Sequence, residues 1–96
     1  MNSIDEIKLL LDKNKQRFGQ ELKQSKEAIS LIKKATHTNL SEEEKEKIKI
    51  QLLDICKTIP ALAVFLLPGG ALLLPLLIKL IPDILPSAFQ EDFEEK

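Results

Sequence analysis

The chain has 96 residues, room for one small domain and no more. It is 44% hydrophobic and 30% charged, with four phenylalanines as its aromatics, which rules out a multidomain enzyme and leaves little room for a deep catalytic cleft. A formal net charge of −1 gives no bulk electrostatic case for nucleic acid, and a single cysteine, Cys56, rules out an internal disulfide framework or a cysteine-based zinc site.

The charges are unevenly placed. Residues 1–57 carry 12 basic and 10 acidic side chains, residues 58–89 carry only Lys79 and Asp83, and residues 90–96 form an acidic tail. The sequence therefore reads as three parts: an amphipathic helical hairpin (1–57), a proline-rich apolar segment of membrane type (58–89), and the tail (90–96). The N-terminal residues lack the basic stretch and apolar run of a secretory signal. No myristoylation or prenylation pattern is present.

Apolar residues at Ile4, Ile7, Leu11, Phe18, Leu22, Ile29 and Ile32 recur at three- and four-residue steps once Asn14 and Ser25 join the row. This predicts one long amphipathic helix, nearly a heptad seam. Gly19 inside it costs about 1 kcal/mol relative to alanine. A break follows at Thr36-His37-Thr38-Asn39. Ser41 and Glu44 then form a capping box, with Glu42 and Glu43 adding negative charge at the positive helix end. Ile48, Leu52, Ile55, Cys56 and Ile59 give the second helix its apolar face, and the two helices should pair antiparallel.

From Thr58 to Ile78 there are 21 residues without a charge. Eight Leu, two Ile, one Val and one Phe within 59–78 supply roughly −4 to −7 kcal/mol toward bilayer insertion. Pro60, Pro68, Pro75, Pro82 and Pro86 interrupt the segment, with Gly69-Gly70 after Pro68. Two readings fit. One is a single kinked span. The other is a pair of short helices, near 61–67 and 71–81, turning at Pro68-Gly69-Gly70 either in the membrane or as a core against the first half. Apolar on every side, such helices need cover, and two amphipathic helices offer only one stripe each. The expectation is accordingly a membrane-associated, all-α chain.

The run Lys79-Leu80-Ile81-Pro82-Asp83-Ile84-Leu85-Pro86-Ser87-Ala88-Phe89, with Asp54, Pro60, Phe65, Pro68 and Pro75 before it, closely resembles the signature of the leucine-zipper and EF-hand-containing transmembrane protein (Letm-like) family. The resemblance covers about residues 40–90. It implies a bacterial or mitochondrial inner-membrane setting, a membrane segment ending at the motif, proton-coupled exchange of potassium or calcium, and ribosome binding through a helical domain after the motif. That domain is expected to be missing, since the sequence ends at Lys96. No EF-hand loop occurs. Ala71 stands where the animal pattern has an acidic residue, which removes the usual intramembrane proton or cation handle.

The family-motif residues Asp54, Pro60, Pro68, Pro75, Lys79, Pro82, Pro86 and Ser87 and the hinge pair Gly69 and Gly70 are the candidate site. Asp54 reads as a cation-binding carboxylate at the membrane edge or a surface partner of Lys57. Lys79 reads as a contact for a phospholipid phosphate or a snorkelling anchor. Gly69-Gly70 supplies positive φ and close backbone approach. His37 has no ligand cluster around it, and Cys56 reads as a small buried apolar thiol or an acylation site. No catalytic, cofactor or metal site is expected. Lysines interleaved with glutamates read as a solvated face, not a direct nucleic-acid site. Membrane lipid, the ribosome and a second copy of the chain are the expected partners. The excess of lysines before the apolar segment places the N-terminus on the cytoplasmic or matrix side. The rival reading is a soluble interaction module with a self-associating apolar face.

Overall fold

The computed structural model describes residues 3–86 and 89. They form an all-α fold: α1 (Ser3–Lys13), α2 (Lys15–Lys23), α3 (Lys26–Ala35), α4 (Glu42–Thr58), a first 3-10 helix (Pro60–Leu66), a second (Gly70–Leu73), and α5 (Leu74–Ile84). Ser87 and the 90–96 tail lie outside the described residues.

The first arm of the hairpin is three helices, where the hydrophobic row predicted one. The breaks fall at the two polar members of that row. Asn14 turns its side chain back, its Nδ2 donating to the Leu10 carbonyl at 2.8 Å, and so closes α1. Ser25 adopts extended backbone and its Oγ accepts from the Ala28 amide at 3.2 Å, which starts α3. Short polar side chains compete with the helix for backbone groups, so periodicity alone carried the prediction across both breaks.

The second arm follows its prediction. Ser41 and Glu44 make both bonds of the capping box, Glu44 N to Ser41 Oγ at 3.1 Å and Ser41 N to Glu44 Oε1 at 2.9 Å. Ile48, Leu52, Ile55, Cys56 and Ile59 are all buried. α3 packs against α4, and α2 against both. The Arg17 guanidinium donates to the Thr58 carbonyl at 2.7 Å, tying α2 to the C-terminal end of α4 where carbonyls lack helical partners.

The apolar half takes the form of two short pieces that turn at Pro68-Gly69-Gly70. Residues preceding a proline avoid helical backbone: Ile59 and Leu67 are both extended (ψ 103° and 158°), which confines the first 3-10 helix between Pro60 and Pro68. Pro75 sits in the first turn of α5, where no amide is needed. Pro82 lies inside α5 and removes one of its last hydrogen bonds; the helix ends two residues later. Among the described residues, no helix is long and apolar enough to cross a membrane.

Three stripes on the first arm, instead of one, give the apolar half a surface to cover. The first 3-10 helix packs on α4 and α5 packs on α1. Leu62, Phe65, Leu74, Leu77, Ile81 and Leu85 join Ile7, Leu11, Phe18, Leu22 and Ile32 in one core. The radius of gyration, 12.7 Å, matches the value of about 12.5 Å for a folded domain of this length. The expectation that the polar half offers too little cover is therefore corrected. Ile4 is the member of the predicted row left exposed, while Ala28 and Leu31, outside that row, are buried.

Candidate functional site

The residues singled out from sequence fall into three places. The first is the turn. Gly69 has φ +86°, open to glycine and unfavourable to other residues. Gly70 is buried against the backbone of Val64 and Phe65. Around this turn Val64, Leu66, Leu67 and Leu72 are exposed, Leu72 by 81%. Pro60 opens the apolar half, exposed at the start of the first 3-10 helix.

The second is a cleft of about 340 Å³ between the α3–α4 loop, α4 and the N-terminal half of α5. Its lining includes Ala35, Leu40, Ile48, Leu74, Pro75 and Ile78, with Lys45, Lys49 and Lys79 also lining it. Lys45 is paired with Glu42 at 3.3 Å. Pro75 and Lys79 are the two sequence-selected residues that meet here. Leu40, Ile48, Lys45 and Lys49 were not selected, although the four-residue step from Lys45 to Lys49 already put both ammoniums on one side of α4.

The third place is where α2 meets the end of α5. Pro86 and Leu85 line a depression of about 560 Å³ with Lys15, Gly19 and Lys23. Pro82 is half-buried inside α5. Asp54 is elsewhere, exposed on α4 with Lys57 3.5 Å away, and lines neither cavity. Of the other residues weighed, His37 is exposed, and Cys56 is buried, which pushes its thiol up to about 11.

Charge at the start of α4 is organised by Glu44. Its Oε2 accepts from Lys34 at 2.6 Å, and this bond, with the one from the Ser41 amide, holds its carboxyl below the usual glutamate value. A polar bridge joins α3 to α4: Ser25 donates to Gln51 Oε1, and Gln51 Nε2 donates to Glu27 at 2.5 Å. Among the described residues no three His, Cys, Asp or Glu side chains gather as a metal site, and no polar or charged side chain is buried.

A protein-family model described as LETM1-like, RBD (ribosome-binding domain) matches residues 40–96. The match takes in α4, the proline turn and α5, including the motif itself, where the resemblance had put ribosome binding after the motif. No curated protein and no solved structure matches the chain.

Proposed function

This chain belongs to the LETM1-like, RBD family, and from that membership we propose that it is a non-catalytic, ribosome-contacting module working beside a membrane. The observation that carries the reading is the family match over residues 40–96. The surface of that stretch sets the kind of contact. Lys45, Lys47, Lys49, Lys57 and Lys79 are exposed, and so are Glu42, Glu43, Glu46, Asp54 and Asp83, so local cations and not net charge would meet an anionic assembly. Glutamates alternate with them on α4, so the contact suits a mixed-charge ribosomal surface better than bare RNA.

The membrane half of the proposal rests on Val64, Leu66, Leu67 and Leu72, exposed around a turn in a stretch without charge. Exposed apolar patches mark contact sites. Proton-coupled potassium or calcium exchange is not part of this role. The buried side chains among the described residues are apolar or the Cys56 thiol, so no buried carboxyl or amine stands ready to carry a proton or cation.

The test is co-sedimentation with ribosomes through a sucrose cushion, repeated over a salt series. The chain should pellet at low salt and be released as salt rises. A chain left in the supernatant under every condition sinks the ribosome reading.

A further inference from the structure

We infer that the cleft between the α3–α4 loop and α5 holds one acyl chain of an anionic bilayer phospholipid, with Lys49 and Lys79 at its headgroup phosphate. This deepens the membrane half of the reading above, on which it rests, by naming a lipid class and a seat for it.

The cleft is of ligand size and lined largely by apolar side chains: its volume of about 340 Å³ lies near the low end for ligand sites. Methylenes would lie against Leu40, Ile48, Leu74 and Ile78. The charge selects an anion. Lys49 comes from α4 and Lys79 from α5, both exposed, and neither has an ion-pair partner among the described residues. Two cations brought from separate elements to one apolar cleft fit a phosphate at its mouth.

The adjoining surface continues the pattern. Leu72, Pro75 and Lys79 follow at three- and four-residue steps, all exposed, passing from apolar to cationic. A face of this order dips its apolar end among acyl chains and keeps the ammonium at phosphate level.

The chain contains no tryptophan or tyrosine, so one introduced indole is an unambiguous reporter. Thr38→Trp places it on an exposed loop residue that lines the cleft, and Gln16→Trp places a control on exposed α2. Thermal unfolding checks that each variant folds. Both are mixed with vesicles carrying brominated acyl chains, either phosphatidylcholine alone or equal parts phosphatidylcholine and phosphatidylglycerol. The expected result is quenching of the Thr38→Trp reporter on the mixed vesicles only, with the control unquenched. Adding Lys49→Glu and Lys79→Glu should lower partitioning at least 25-fold, about five-fold for each lysine lost. Flotation with both reporters quenched alike, or the Thr38→Trp reporter unquenched, overturns the cleft and leaves the membrane reading standing. Equal quenching on neutral vesicles overturns the phosphate contact. No flotation of the unmodified chain overturns both. A dimer by sedimentation equilibrium that excludes lipid from the cleft overturns it in favour of a second copy. Ribosome pelleting of the unmodified chain reports separately on the ribosome reading.

Discussion

Gly70 lies so close to Val64 that a β-carbon built on it would overlap the Val64 carbonyl oxygen and sit 3.0 Å from the Phe65 backbone. The two neighbours are main chain, so no side chain can swing aside. Gly69, one residue earlier, has open space around it and a φ of +86°. One turn thus uses both properties of glycine, each at a different residue.

Gly70→Ala should therefore cost about 3 kcal/mol, the upper end for overpacking. Gly69→Ala should cost about 1 kcal/mol, the left-handed backbone penalty. Urea unfolding of the two variants measures the difference. Equal losses would show that the backbone of the turn yields.

Gly19 offers the opposite case. It lies inside α2, and a β-carbon there would meet only Leu85 Cδ2, at an ordinary 3.4 Å. Gly19→Ala should stabilise the fold by about 0.5–1 kcal/mol through helix propensity and a less free unfolded chain. A lowered urea midpoint would mean that the end of α5 packs more tightly on α2 than this spacing implies.

Gly69 and Gly70 also mark what was legible in the sequence. The turn at Pro68-Gly69-Gly70 was readable because proline and glycine act on the backbone of their own residue. The capping box at Ser41 and the face of α4 were readable for the same local reason. The division of the first arm was not. Asn14 and Ser25 fit the apolar spacing as polar members of a seam, and only the directions of their hydrogen bonds make them breaks. The cleft was legible only in part, at Pro75 and Lys79, because its other residues come from α4 and the α3–α4 loop. Which elements meet is decided by how the apolar half finds cover, and that depends on the number of helices in the first arm.

Ser41→Ala should cost about 1 kcal/mol, the usual loss for a serine cap. The pH dependence belongs to Glu44. The Lys34 bond, then the Ser41 amide, lowers its folded value below the ordinary 4.5. A carboxylate lowered on folding stabilises the fold fully above its unfolded value, and that contribution is lost as pH falls through the folded value. Stability measured from neutral pH downward should thus decline below about pH 4.5, and Glu44→Gln should flatten the Glu44 part of that decline. An unchanged slope in the variant would remove Glu44 from the acid response.

Cys56 gives a chemical readout of the core. It is 1% exposed, and desolvation alone raises its thiol to about 11. At pH 7 the native thiolate is then about one part in ten thousand. Iodoacetamide should alkylate the folded chain only as it opens, at a rate that rises with urea in step with unfolding. A thiol raised on folding contributes stability below its unfolded value, and the contribution fades as pH climbs through the folded value. The native chain should therefore lose stability between about pH 9 and pH 11, and Cys56→Ala should lack that alkaline loss while bearing a pH-independent cost for the smaller side chain. Rapid alkylation in native buffer at neutral pH would show that the contact of α4 with the first 3-10 helix opens easily, and would return Cys56 to the accessible thiols that acylation requires.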